Sequence, residues 1–326
     1  MRTYIIRRLL LIVPTMFLVS ILLFLLIRLI PGNIVDQMIR ERPFSMDAAR
    51  AAIEQELGLD VPIFEQYGRW LGVLPGVDGS FNGIFQGSLG NSLWTNEAVV
   101  KLIINRLPVT IELVILAILI MIIISIPIGI YSAMRQNTMG DLAGRSFATV
   151  LIALPNFWVG LMIILVASIW WGVSPPLRPI SFIEDPIGNL GQFIVPALLL
   201  GMAGTGTTMR MARSMMLEVL RQDYIRTAWA KGLKERVIIM RHALKNALIP
   251  VVTLVGINLA YLVGGTVIIE TVFSLPGIGR LLVESTSLRD YTIVSGVAFF
   301  YAAVLIMVNI IVDLTYGYLD PRIRFK

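Results

Sequence analysis

Six stretches of this chain run for about the thickness of a bilayer with hardly a charge in them, and that pattern leaves few folds open. They are Leu9–Ile27, Leu113–Met134, a run within Ser146–Leu177 centred on Phe147–Trp171, Pro186–Met209, Asn246–Ile269 and Tyr291–Val312. A spanning helix needs about 20 apolar residues to cross a hydrocarbon core roughly 30 Å thick. Lipid offers no partner for backbone N–H and C=O groups, so such runs are read as helices. The rest of the composition agrees. Hydrophobic residues make up 56% of the 326 positions and charged residues only 15%, where soluble domains carry roughly 25%. The expected fold is an all-α polytopic membrane protein with six transmembrane helices.

Charge placement gives an orientation. Lys and Arg outnumber Asp and Glu by 27 to 21, and residues 210–245 alone hold nine basic and three acidic groups. Such a patch could bind nucleic acid, but it lies between two apolar runs, so a cytoplasmic loop is the better reading. With both termini placed inside, the inner segments hold 17 of the 27 basic residues, including Arg2, Arg7, Arg8, Arg135, Arg145, Arg322, Arg324 and Lys326. No small-residue cleavage site follows the first run, so it is read as an uncleaved helix. Residues 1–105 are then a first helix with a long extracytoplasmic loop, 106–317 a five-helix core with a cytoplasmic loop at 212–245, and 318–326 a cytoplasmic tail. Within the outer loop Ser45 can cap a helix reaching Leu57. Thr95 or Asn96 can start another, laying Val99, Leu102, Ile103 and Leu107 on the membrane surface before Pro108.

Several chemistries are excluded by what the chain lacks. It has no cysteine and a single histidine, His242, so thiol chemistry and multi-histidine metal sites are ruled out. There is no G-x-x-x-x-G-K-[ST] cradle for ATP. The nearest string, Gly201-Met-Ala-Gly204-Thr-Gly206, suits close helix packing instead. An ion-coupled secondary transporter is the alternative reading. It calls for a carboxylate at membrane depth, whereas Glu112, Glu270 and Asp313 sit near the ends of runs as packing or interface residues. Asn258 is the polar residue near the midplane. It could line a path or bond to a neighbouring helix. Asn309 and Asp313 share a helix face.

The informative segment follows the fourth run. Asp223 can cap a short helix and Gly232 can end it in the left-handed conformation. Tyr224, Ile225, Ala228 and Trp229 fall on one face, with Arg226, Thr227 and Lys231 on another. A second helix is expected from about Lys234 to Ile249. Its apolar stripe is Val237, Met240, Leu244 and Leu248, and its polar stripe Arg241, His242, Lys245 and Asn246. A short helix below the membrane can bind anionic lipid or lay its apolar face in a groove on another protein.

These residues carry a family resemblance. Arg226-Thr-Ala228-x3-Gly232 followed by Arg241-His-Ala-Leu-Lys-Asn-Ala-Leu-Ile-Pro250 resembles the EAA loop of binding-protein-dependent ABC importer permeases, in the form typical of the dipeptide/oligopeptide/nickel branch. Strings elsewhere look like the same branch: Arg7-Arg8-Leu, Ile30-Pro31-Gly32, Gln66-Tyr-Gly-Arg-Trp70, Gly87-Ser-Leu-Gly90-Asn-Ser92, Arg106-Leu-Pro-Val-Thr110, Glu270 to Gly279, Asp290-Tyr291 and Tyr318-Leu-Asp-Pro321-Arg322. In order, they resemble the first of the two permease types in these importers. The resemblance implies a type I ABC importer permease fold in a bacterial or archaeal inner membrane. It also implies a second, non-identical permease, two ATPase subunits that bind ATP and magnesium, and an extracytoplasmic solute-binding protein. This chain would hold no cofactor and no catalytic group. Asp223 to Gly232, with Arg241 and His242, would couple to an ATPase, burying Tyr224, Ile225 and Trp229 in it with Ala228 at closest approach. The loop from Phe273 to Asp290, bent at Pro276, Gly277 and Gly279 and with Leu275 and Ile278 to bury, is expected to be a folded re-entrant turn near the outer mouth that gates the path or touches the binding protein. Short peptides, glutathione, opines and chelated nickel all fit as solutes.

Overall fold

The computed structural model describes residues 2–29, 55, 60–174 and 178–319. Ile30-Pro31-Gly32, the helix expected from Ser45 to Leu57 apart from Gln55, and the tail beyond Leu319 with Pro321 and Arg322 lie outside these residues. The elements are helices in the order α1 (Arg2–Leu29), α2 (Ile63–Leu71), α3 (Val99–Met134), α4 (Met139–Ala153), α5 (Asn156–Trp171), α6 (Pro186–Leu220), α7 (Asp223–Ala230), α8 (Glu235–Val272), α9 (Ile278–Ser287) and α10 (Tyr291–Leu319). Among the described residues, five helices are long and apolar enough to cross a membrane: α1, α3, α6, α8 and α10.

The third expected span is not one helix. It is the pair α4 and α5, bent by 91°. Proline disfavours helical backbone at the residue before it and has no N–H to donate. Leu154 is accordingly extended (φ −88°, ψ 129°) and Pro155 caps α5 from outside the helix. The apolar run hid this break because apolarity does not record chain direction. Counting the pair as one span gives six.

A second correction concerns the stretch before span two. No separate surface helix lies there. Val99 begins α3, which runs on through Pro108 to Met134. Val99 and Ile103 are buried, and Ile104 is exposed. At 1.5 Å per residue, such a helix is about 54 Å long and projects well beyond the hydrocarbon.

The residues pack as two compact units. One contains Val109–Arg280 and the chain ends Met1–Leu9 and Leu305–Lys326; the other contains Leu10–Pro108 and Leu281–Val304. In the first, α6 packs against α4, α5 and α8. Backbones meet closely there. A Cβ on Gly201 would lie 2.9 Å from the Ala117 carbonyl oxygen, and one on Gly206 2.6 Å from that of Ala148. Small residues let helices approach where lipid gives no hydrophobic drive to associate.

The second unit is held by aromatic and polar contacts. Phe24, Tyr67 and Trp70 cluster, and Phe299 meets Trp70 edge-on at 6.1 Å. The Tyr67 and Ser20 hydroxyls are hydrogen-bonded at 2.8 Å. Asp290 is buried. Its carboxylate accepts from the Ser92 hydroxyl (2.7 Å) and the Leu93 N–H (3.0 Å), and also caps α10 by accepting from the Ile293 N–H at 3.1 Å.

Candidate functional site

The segment expected to be a loop at 212–245 is mostly helix. α6 continues to Leu220 and α8 begins at Glu235, leaving α7 and two short turns between them. Gln222, not Asp223, occupies the N-cap, without a side-chain cap bond. Asp223 is the first helical residue, where its charge favours the positive helix end. It pairs with Arg226 at 3.3 Å, but both side chains are largely exposed, so the pair adds little stability.

The other end of α7 agrees with expectation. Gly232 has φ +74°. Its N–H donates to the Trp229 carbonyl (2.9 Å), and that of Leu233 to the Ala228 carbonyl (3.4 Å). This crossed pair satisfies carbonyls that the helix end would otherwise leave open.

The apolar face of α7 divides. Ile225 and Ala228 are buried in the chain's own core with Ala133, Met216, Ile238, Ile239, Ala243 and Ala247. Their side chains are therefore occupied by contacts within this chain. Tyr224 and Trp229 remain 43% and 48% exposed. The Tyr224 hydroxyl accepts from the Asn246 amide (2.8 Å) and donates to the His242 carbonyl at 3.4 Å. Arg226, Thr227, Lys231 and Arg241 are exposed, and His242 is half-buried. α7 is thus anchored on one side and presents two aromatics, rimmed by basic residues, on the other.

The stripe expected on the next helix is also displaced. Ile238, Ile239, Ala243 and Ala247 face inward, while Val237 and Met240 are exposed and Leu244 and Leu248 are half-buried. The reason is a π turn over Ile238–Ala243. Its wider turns shift the residues before it relative to those after it, so a 3.6-residue pattern read across it fails.

Asp141 was not singled out by its sequence context. It is fully buried. Arg213 grips it with Nε (2.7 Å) and Nη2 (2.9 Å). The Ser132 hydroxyl and the Asn137 N–H also donate to it, and Arg145 Nε lies 3.5 Å away. A lone acid between Arg135 and Arg145 was the available signal. Its main partner is 72 residues away, so no local spacing could reveal it.

In the turn at 273–279, Phe273, Leu275 and Ile278 are buried. The bend itself is short, and most of the stretch from Phe273 to Asp290 is helix α9. Glu270, fully buried, organises the bend. Its carboxylate accepts from the Thr110 hydroxyl (2.7 Å) and the Arg280 N–H (3.0 Å), while Thr110 accepts from the Ile278 N–H (2.9 Å). A Cβ on Gly277 would lie 2.2 Å from that carboxyl group. Pro276 is half-buried, and Gly279 is buried beside Val267. Asn258 lies within the helix packing. It is buried, and its amide donates to Thr208 Oγ1 (3.1 Å) and toward Met121 Sδ (3.8 Å), joining three helices.

Comparison with known proteins accounts for this arrangement. Residues 125–325 match the family described as the binding-protein-dependent transport system inner membrane component, and residues 1–114 match its N-terminal companion. The chain belongs to this permease family. It is 36% identical over 349 residues to the dipeptide transport system permease protein DppB of Escherichia coli strain K12, and 39% identical over 346 residues to DppB of Alkalihalophilus pseudofirmus; each alignment covers all of both chains. The protein is thus a multi-pass inner-membrane permease subunit of an ABC importer with the type I fold. The structure also gives a physical role to several strings that carried the resemblance. Gln66 to Trp70 supplies the aromatic cluster, Ser92 and Asp290 bond to each other, and Thr110 bonds to Glu270.

Proposed function

We propose that this permease imports short peptides and forms half of the translocation path beside a second, non-identical permease. Two ATPase subunits on the cytoplasmic side hold ATP and magnesium, and an extracytoplasmic binding protein delivers the solute. This chain contributes no catalytic group and no cofactor site. The names of its DppB relatives support the solute class. Both termini and α7 face the cytoplasm, on the strength of the basic residues at 210–245.

The observation that carries the coupling role is the division of α7. Ile225 and Ala228 fix the helix to its own chain, and Tyr224 and Trp229 stay available. A knob of this kind can occupy a groove on a motor subunit while a rigid base passes its movement to α6 and α8. The exposed Arg226, Lys231, Lys234, Arg236 and Arg241 favour an acidic rim on that groove. Completing the burial of the Trp229 ring contributes roughly 1.5–3 kcal/mol before association costs. Trp229→Ala should therefore weaken ATPase recruitment by at least about ten-fold and reduce peptide uptake with it. Unchanged ATPase co-purification and uptake would reduce α7 to a membrane-surface element.

A further inference from the structure

Asp141 and α7 share the same two supports. On α3, Ser132 donates to Asp141 and its neighbour Ala133 packs under α7. On α6, Arg213 grips Asp141 and, one turn later, Met216 packs under α7. The socket that receives Ile225 and Ala228 is therefore built on helix ends whose spacing is fixed next door by a buried charge cluster. The grip is directional. A guanidinium fork on a carboxylate fixes both distance and plane, which apolar packing alone does not. The Asn137 N–H adds the turn between α3 and α4 to the same carboxylate at 3.0 Å.

We propose that Asp141 is a positioning residue for energy coupling: its cluster with Arg213, Ser132 and Arg145 holds the ends of α3, α4 and α6 as one body, so that displacement of α7 moves the spans instead of deforming its socket. This rests on the docking of α7 described above. Asp141 and Arg213 make no contact with the motor in that arrangement, and their effect passes wholly through the socket. Without the clamp, α7 would still bind an ATPase subunit, but its motion would be absorbed locally. Binding and coupling therefore separate in a variant of this cluster, whereas they fall together in a variant of Trp229.

The test uses the full importer in nanodiscs with its binding protein and a dipeptide mixture. Asp141→Asn and Arg213→Gln complexes should retain both ATPase subunits and basal ATP hydrolysis, while stimulation by loaded binding protein falls at least ten-fold. The exchanged pair D141R/R213D should recover part of that stimulation, because it restores one opposed pair beside Arg145. If a single variant fails to accumulate, Arg213→Lys, which keeps the charge but loses the fork, is read by the same ratio. Normal stimulation in Asp141→Asn would overturn the proposal. So would a loss that merely tracks missing ATPase subunits, the sign of a structural role alone. Failure of the unaltered permease to retain ATPase subunits would instead overturn the docking of α7.

Discussion

Glu270 shows how a single side chain can set the form of a turn. Its carboxylate is sealed from solvent and tied to Thr110 and to the backbone of Arg280. Removing a buried acceptor leaves each of its donors unsatisfied, at a cost of roughly 1–3 kcal/mol apiece. Glu270→Ala should lower the stability of the detergent-solubilised permease by about 3 kcal/mol in chemical unfolding, and Glu270→Gln, which keeps an acceptor, by less. Equal stability of both variants with the unaltered protein would mean that the turn folds without this carboxylate. The sequence places Glu270 near a span end as a packing residue, and its burial agrees. Its partner Thr110 lies 160 residues away, which no local pattern reports. Asp141 escapes notice for the same reason, since its charge is matched only once α6 has been laid against α4.

At the scale of elements, the apolar runs and the end of α7 are legible, because both follow from local chemistry. Hydrocarbon thickness sets the length of a span, and a left-handed φ selects glycine at 232. Nothing lies within 4 Å of a Cβ built on Gly232, so a substitution there is strained in its backbone but does not clash. Gly232→Ala should cost about 1 kcal/mol, and Gly232→Asn less, since asparagine tolerates this conformation. Both effects are readable as a drop in the melting temperature of the purified permease. If alanine and asparagine proved equally mild, the left-handed end would not be required. The π turn in α8 and the right-angled break at Pro155 are harder to read. The first exchanges Val237 and Met240 for Ile238 and Ile239 on the buried side. The second lies at the pair Leu154-Pro155, but the hydrophobicity of the chain is continuous across it. The inward turn of Ile225 and Ala228 draws on the first of these, because Ile238, Ile239 and Ala243 of the π turn form part of their socket.

For the whole molecule, the bent pair α4 and α5 decides the topology. If it crosses the membrane, reporter fusions placed after Arg145 and after Arg178 should report opposite sides. The same side for both would make the pair a re-entrant hairpin and leave five spans, with the C-terminus opposite the N-terminus. The energy-coupling role of α7 is the other claim at this scale, and the chain is suited to a direct test because it contains no cysteine. Single cysteines at positions 224, 225, 228 and 229 can be introduced in the assembled importer and treated with a short bifunctional thiol reagent. The Tyr224→Cys and Trp229→Cys permeases should cross-link to an ATPase subunit in high yield, and Ile225→Cys and Ala228→Cys should not, since those positions face their own chain. Equal cross-linking at all four positions, or none at 224 and 229 in a complex that still hydrolyses ATP and transports, would contradict the docking of α7 through its exposed aromatic side.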